Sequence, residues 1–237
     1  GRAERLLEAA WNRAACGQDD LAARDELEAA HLLRARWELK AAWRAIQSAS
    51  ARVGTRSDLI EAREYADLQI LSVVLEHEVR SPPGTPSDLA MELDMLQPMW
   101  VSLTPSVERC RGDLVHAEAL RAAGRPGDAR ESLTRGLEGA RAVGSKLWEC
   151  RALVQLADSV RLEGELTEAD ELSGRAMALA SDIGEEQLLL SVLVVRLPVA
   201  IALADVERAK LWLDKLRGLL RSRASWQDLQ NLWLFRG

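Results

Sequence analysis

A repeat of forty residues is the feature that most constrains the fold of this chain. When the segments that begin at 110 and 150 are aligned, ten of forty positions are identical, and most of these are alanine, glycine or arginine. The segment from 190 continues the register, because Ala209 aligns with Ala129 and Ala169. Self-similarity at a fixed period of this length indicates stacked structural repeats, in which each repeat covers the apolar face of its neighbour.

Each repeat is predicted to form two antiparallel helices. Apolar residues recur every three or four positions on both sides of Gly124 and Gly164, and no segment alternates as a strand would. Glycine at these positions allows the left-handed conformation in which many helices end. Ala117 before Gly124 and Ala129 after it are small enough to let the two helices approach closely. Over the whole chain the pattern predicts an all-α protein of about twelve helices.

The pattern resembles the tetratricopeptide repeat, which has a small residue in the first helix, glycine at the turn, then alanine and a later Ala-Leu-like pair. Here those roles fall on Ala117, Gly124, Ala129 and Gly136–Leu137, and in the next copy on Ala157, Gly164, Ala169 and Ala176–Met177. The resemblance implies a right-handed α-solenoid of antiparallel helix pairs that binds proteins or peptides. The period exceeds the usual length of about 34 residues. In this respect the chain is similar to the longer repeats of bacterial signal-transduction regulators, such as the maltose-regulon activator and LuxR types.

The regularity of the repeat predicts three regions. Residues 105–223 are predicted to be regular repeats, although Ala204 stands where the third copy should have its turn glycine. Residues 1–104 are predicted to be a degenerate helical-repeat half, in which Gly17 marks a further turn within a helix pair and the register is then lost. Residues 224–237 are predicted to form a terminal apolar helix.

Composition and motifs argue against catalysis, bound cofactors, nucleic-acid binding and a membrane span. The 237-residue chain has a net charge of −6 and no apolar run long enough to cross a bilayer. Its three histidines are far apart, and the segment GARAVGSK reverses the Lys-Ser order that a phosphate loop requires. No catalytic residue, metal ligand or cofactor is therefore predicted. Three cysteines are too few for a disulfide framework, so we expect a cytoplasmic protein in which Cys110 and Cys150 are buried packing residues.

A candidate binding surface is the arginine ladder, a set of charged residues that recurs on the first helix of consecutive pairs. Its members are Arg111, Glu118 and Arg121 in one copy, and Arg151, Asp158 and Arg161 in the next. Solenoids bind extended ligands along the wall formed by these helices, and guanidinium groups make bidentate contacts with carboxylates. The ladder is thus predicted to bind an acidic segment or a peptide C-terminus. The alternative is that its acids pair with arginines three residues further along the same solvated helix face.

A second candidate surface is basic. Residues 31–56 hold six basic residues and one acid, a local net charge of +5 that leaves −11 for the remainder of the chain. Arg36, Lys40 and Arg44 step by four and are predicted to share one helix face, the basic stripe, while Trp37 and Trp43 lie off it in the core. The basic stripe is suited to an acidic partner, and the alternative is pairing with the acidic remainder of the molecule.

The C-terminal sequence SWQDLQNLWLFRG is unusually apolar for the last element of a solenoid, which normally has a polar outer face. A contact with a second copy of the chain or with a following repeat is predicted for Trp212, Leu219, Leu232, Trp233 and Phe235. The alternative is a cap that folds fully onto its own repeat.

These observations predict a non-catalytic module that binds a protein or peptide, within a larger bacterial regulator. One alternative is a domain that senses a small ligand or peptide and relays it to a neighbouring ATPase or DNA-binding domain. Another is a free-standing scaffold or adaptor. The apolar last segment, together with a start inside a helix, favours a fragment of a longer protein.

Overall fold

The computed structural model of the protein describes residues 1–54, 59–79 and 85–222, and within these residues the chain is entirely helical apart from its turns. The helices are α1 (Arg2–Ala15), α2 (Asp19–Ala35), α3 (Leu39–Val53), α4 (Ala62–Val79), α5 (Pro86–Val101), α6 (Val107–Ala122), α7 (Pro126–Ala142), α8 (Lys146–Leu162), α9 (Leu166–Ile183), α10 (Glu186–Ala202) and α11 (Val206–Ser222). The predicted all-α class is confirmed. The predicted terminal helix over 224–237 lies outside the described residues.

The chain divides into two compact units, unit 1 over Gly1–Gly112 and unit 2 over Asp113–Gly237. The division falls within α6, eight residues after the boundary at 104/105 that repeat regularity predicts. The two units are defined by their internal packing, whereas the three predicted regions are defined by how regular the sequence repeat is. The three regions therefore stay a prediction.

Unit 2 is a stack of antiparallel helices whose turns follow the predicted pattern. From α7 onwards each helix packs against the next along the chain, and α8 also contacts α10, so these two are the first helices of their pairs. Gly124 and Gly164 have φ angles of 76° and 92°, which confirms the predicted left-handed turns. Ala204 takes the same conformation at φ 57° without being glycine. Ala129 and Ala169 are fully buried where the second helix meets the first, as close packing requires.

Unit 1 follows the same plan in a register that the sequence analysis missed. α2 packs against α3 and also contacts α4, so α2 is the first helix of its pair and its turn lies at Trp37. Trp37 has a φ angle of 61°, and buried alanines stand seven residues before it and five after it, at Ala30 and Ala42. This is the spacing of the alanines around Gly124. Gly17, between α1 and α2, has a φ angle of 73°, and buried Ala10 and Ala22 stand at the same two spacings around it, so the predicted match at Gly17 is present as well.

Candidate functional site

The part of the arginine ladder that lies in unit 2 forms a bridge between first helices of consecutive pairs. An Nη1 atom of Arg121 on α6 lies 2.7 Å from the Oδ2 atom of Asp158 on α8. Arg161, one turn further along α8, donates to the other oxygen of Asp158 at 2.7 Å. The predicted pairing over three residues is thus present for Asp158 and Arg161. All three side chains are less than one-third exposed, so both guanidinium groups are largely committed to an internal carboxylate.

Unit 1 contains an equivalent bridge. An Nη2 atom of Arg34 on α2 lies 2.6 Å from Oε1 of Glu78 on α4. Arg34 stands three residues before Trp37, as Arg121 stands three residues before its own turn glycine. In the sequence, Glu78 stands six residues before Gly84, and Asp158 stands six residues before Gly164. The bridge was hidden in the sequence because a tryptophan occupies the turn position.

Arg111 belongs to a polar cluster inside unit 1. The Nε2 atom of His31 lies 2.8 Å from Oδ2 of Asp67 and 2.5 Å from Nη1 of Arg111, and Arg111 also contacts that same carboxylate oxygen. Burial lowers the pKa of His31 below its usual value, because a cation there would lose its hydration. Burial opposes the charge of Asp67 too, but His31 and Arg111 outweigh it and lower the pKa of this carboxyl. The structure therefore gives Arg111 a place in the packing of unit 1.

Two ladder residues differ from these. Arg151 on α8 is exposed, and its guanidinium carbon lies 4.7 Å from the ring centre of Trp148, a cation–π contact. Glu118 on α6 is half-buried. Arg151 is thus the ladder arginine of unit 2 that presents its charge most openly to solvent.

The basic stripe does not form a single helix face. Arg36 ends α2 and lies in the turn before α3, where its guanidinium is 3.2 Å from Glu4. Lys40 and Arg44 lie one turn apart on α3 and are exposed. The prediction of one shared face is wrong because a left-handed turn at Trp37 separates Arg36 from the other two. Trp37 is accordingly half-buried at this turn, whereas Trp43 packs against the core of unit 1 as predicted.

Arg34 and Arg52, the other basic residues of this segment that the structure describes, are neutralised within unit 1. Arg52 on α3 donates to Glu26 on α2 at 3.0 Å, and Glu26 is only 5% exposed. Together with the bridge from Arg34 to Glu78, this contact supports the alternative in which the basic segment pairs with acids of the same molecule.

Unit 2 has an open surface pocket of about 390 Å³ between α9, α10 and α11, which we call the unit 2 cavity. It is lined by Met177, Ser181, Leu189, Leu193, Lys215, Gly218 and Leu219. The lining is mostly apolar, with the ammonium group of Lys215 as its cation. A glycine inside α11 leaves this space open, since no neighbouring atom lies within 4 Å of where a Cβ of Gly218 would be. That interior glycine is the sequence signal that could have indicated the cavity.

The predicted C-terminal interface is described only in part. Leu219 lines the unit 2 cavity. Trp212 is half-buried, with the Arg196 guanidinium 4.6 Å and the Lys215 ammonium 4.9 Å from its ring centre. Leu232, Trp233 and Phe235 lie outside the described residues.

The buried cysteines are packing residues and not reactive thiols. Cys110 and Cys150 are buried, which confirms their predicted packing role, and burial raises the pKa of the Cys150 thiol to about 11. A thiol with such a pKa stays protonated and is a poor nucleophile at neutral pH. Within the part of the chain that the structure describes, no group of three or more His, Cys, Asp or Glu side chains is arranged to hold a metal ion. The same residues contain no helix with the length and apolarity needed to span a bilayer.

No protein-family model matches the sequence, and no curated protein matches it either. Solved structures do match. BtubC from P. vanneervenii is 13% identical, with a TM-score of 0.71 over 94% of this chain and 90% of that one. The TPR-like repeats of a kinesin light chain from Podosopora anserina are 14% identical, with a TM-score of 0.58 over 85% of this chain and 97% of that one.

A Rap protein complexed with Competence and Sporulation Factor is 12% identical, with a TM-score of 0.63 over 92% of this chain. The match spans only 64% of the Rap protein's length. At such identities these likenesses concern the fold. The antiparallel helix pairs, the left-handed turns and the buried alanines agree with them, so this chain has the fold of a tetratricopeptide-type helical repeat domain.

Proposed function

We propose that this chain is a non-catalytic protein-interaction module, and that the unit 2 cavity receives an apolar side chain of a peptide or protein partner. The observation that carries the proposal is the cavity itself, an open space of about 390 Å³ with leucine and methionine walls. Ligand sites are typically concave, of a few hundred Å³ or more, and mostly apolar with a few polar groups. Met177 adds adaptability, since its unbranched thioether fits side chains of different shape.

The chemistry of the cavity favours an acidic partner segment. Lys215 places an ammonium group beside the apolar walls, held near the ring of Trp212. A carboxylate that follows the apolar side chain of a partner would be attracted to this cation. A leucine or phenylalanine next to an aspartate, a glutamate or a C-terminal carboxylate is therefore the motif that the site fits best.

A larger bacterial regulator is the proposed context. A Rap protein of the same fold has been solved in complex with Competence and Sporulation Factor, which supports a binding role for such a domain. The reading of this chain as the tetratricopeptide-type region of a longer cytoplasmic regulator rests on its long repeats. A free-standing adaptor would use the same cavity.

Filling the cavity tests this proposal. Gly218→Leu places a side chain where the space is open, and leucine also favours a helix more than glycine does, so the fold should be retained. The probe is a set of fluorescently labelled peptides that carry an apolar residue followed by an acid, with lysine in place of the acid in a matched set. We expect acidic peptides to bind in the micromolar range, and Gly218→Leu to weaken binding about tenfold by excluding the apolar side chain.

Gly127→Leu is the matched control, because Gly127 also lies in a helix with open space around it but not in the cavity. Equal binding by both variants and the unaltered protein would contradict the proposed site. Preference for the lysine set would contradict the role of Lys215.

A second candidate is an interface formed by the C-terminal segment, and its support is that Leu219 opens into the same cavity. If this segment contacts a second copy, Trp233→Ser with Phe235→Ser should convert a dimer to a monomer in light scattering. If the segment instead folds into the cavity of its own chain, the same variant should stay monomeric and bind the acidic peptides more tightly. A variant that stays monomeric and binds the peptides with unchanged affinity would contradict both the contact with a second copy and the folding of the segment into the cavity.

Peptide binding by the arginine ladder stays a hypothesis. Fewer of its arginines are available for a partner, since Arg121 and Arg161 both pair with the carboxylate of Asp158. If the ladder binds the acidic peptides, Arg151→Ala should weaken binding while the melting temperature stays nearly constant. Unaltered binding would leave the unit 2 cavity as the binding site.

A further inference from the structure

Three of the four methionines of this chain lie on one helix and step along it by four residues. Met91, Met95 and Met99 on α5 form a line that we call the methionine stripe. Met91 is 57% exposed, Met95 is 76% exposed, and Met99 is half-buried. Single exposed apolar residues are ordinary on protein surfaces, but a continuous strip of them marks an interaction site.

The methionine stripe is not the core-facing side of α5, because residues on the opposite side of the helix are the buried ones. Leu93 and Trp100 are fully buried. Trp100 packs closely on Gly112 of α6, where an added Cβ would lie 2.9 Å from its ring and 3.0 Å from Ile70. At the start of the helix, Thr85 accepts a hydrogen bond in a reciprocal N-terminal cap. The helix is thus anchored at its start and along its inner face, and the methionines project from a fixed support.

Acidic residues of α5 border the stripe. Asp88, Glu92 and Asp94 lie on this helix, which contains no basic residue, and the carboxylate of Glu92 lies 3.2 Å from Nε2 of His77 on α4. Asp88 and Asp94 stand three residues before and after Met91, so helical geometry places them on either side of the stripe. The surface therefore combines an apolar line with acidic borders. Its complement is a helix that has an apolar face bordered by lysine or arginine.

We propose that the methionine stripe is a docking surface for a positively charged amphipathic helix of a partner protein. Methionine side chains are flexible and polarizable, so they can pack against apolar faces of varied sequence. The apolar faces supply the affinity, and the acidic borders attract and orient the basic edges of the partner. The proposal uses no residue of the unit 2 cavity and goes beyond the function proposed for it.

The four methionines allow a direct test by NMR, in which the methyl groups of methionine are labelled with ¹³C in the full chain. The probe is a synthetic amphipathic peptide of leucine and lysine, roughly 18 residues long so that it can form a helix. At about 0.15 M salt, where surface charges are well screened, we expect the methyl signals of Met91, Met95 and Met99 to shift. The signal of Met177, which lies in the unit 2 cavity, should stay in place.

Variants then measure the contribution of the stripe. Met91→Gln with Met95→Gln should weaken binding of the peptide about tenfold, since two apolar contacts are lost. Leu162→Gln with Ile201→Gln is the matched control, because these residues of unit 2 are 59% and 62% exposed. The control pair should bind the peptide with unchanged affinity. A peptide of the same composition with its periodicity scrambled should bind about tenfold more weakly than the amphipathic one.

Several results would overturn the proposal. Shifts confined to Met177 would show that the peptide enters the unit 2 cavity, which would leave the function proposed there intact. Equal weakening by both pairs of substitutions would show nonspecific association of the peptide with exposed apolar side chains. Stripe signals that move with protein concentration alone would identify a second copy of the chain as the occupant. Signals that move with anionic lipid vesicles but not with the peptide would identify a membrane surface instead.

Discussion

The two units pack the same kind of helix pair with different chemistry. Among the described residues, the buried acidic and histidine side chains are Asp25, Glu26, Asp67 and His77 in unit 1, and Asp113 and His116 of α6 in unit 2. In unit 2, beyond α6, the buried polar side chains of the described residues are serines, namely Ser132, Ser159 and Ser173. The residues at the turns within pairs also vary, with Trp37 in unit 1 and Gly124, Gly164 and Ala204 in unit 2.

This difference shows what a repeat needs and what it tolerates. Both units keep small residues at the closest approach of the paired helices, because only alanine-sized side chains fit there, and both keep a bridge between consecutive first helices. Unit 1 varies at other buried places, where oppositely charged groups satisfy one another. A buried charge needs its partner far more than an exposed one does, so the two units should respond differently to the loss of one carboxylate.

The largest expected effect is the loss of Asp67 from unit 1. Asp67→Ala removes the carboxylate that Arg111 and His31 contact, and breaking a buried pair in this way typically costs about 3–5 kcal/mol. Asp158→Ala removes the more exposed carboxylate of unit 2 and should cost about 1 kcal/mol or less. Native-state hydrogen exchange measures both costs, helix by helix. The contrast between the units fails if the two costs are equal, or if the double variant Asp67→Leu with Arg111→Met is no more stable than Asp67→Ala.

The next effect tests whether the two units share one register. Ala42 and Ala169 are both fully buried five residues after a left-handed turn residue. Ala42→Leu and Ala169→Leu should each cost about 1–3 kcal/mol, because the larger side chain forces the paired helices apart. Thermal melts check this, with Ala122→Leu at an exposed place on α6 as the control. Full tolerance of Ala42→Leu would show that the register assigned to unit 1 is incorrect.

A smaller effect comes from the turns. Ala204 is exposed and has a φ angle of 57°, which strains any residue with a Cβ. Ala204→Gly should stabilise unit 2, and Gly164→Ala should destabilise it, each by about 1 kcal/mol. Urea denaturation measures both. Opposite signs are the expected outcome, and a loss of stability in Ala204→Gly would contradict the strain.

The last effect concerns pH and should be confined to unit 1. His31 faces Asp67, Arg111 and Arg34, and its pKa lies below the ordinary value of 6.5. Below that pH the unfolded chain binds a proton that the folded chain resists, so unit 1 loses stability as the pH falls. The melting temperature of the unaltered protein should therefore decrease from pH 7 to pH 5.5 by more than that of His31→Gln. Parallel curves would show that His31 does not control this pH dependence.

Much of the fold could be predicted because the responsible residues are local. The forty-residue spacing, the glycines at 124 and 164, and the alanines around them specify helix pairs through backbone conformation and side-chain size alone. Where a different residue takes the left-handed place, as at Trp37, that local signal disappears although the turn persists. The register of unit 1 was therefore lost, and with it the premise that Arg36 continues the helix face of Lys40 and Arg44.

The candidate surfaces were less predictable, because they depend on which side chains meet across helices. The recurrence of Arg121 and Arg161 placed both residues on first helices, but only the packed unit shows that they share Asp158. The unit 2 cavity likewise arises from three helices and one interior glycine. By itself the sequence determined the helices, their turns and their small-residue contacts. Only the tertiary structure decided which charges neutralise one another, which space stays open, and that the methionine stripe faces solvent.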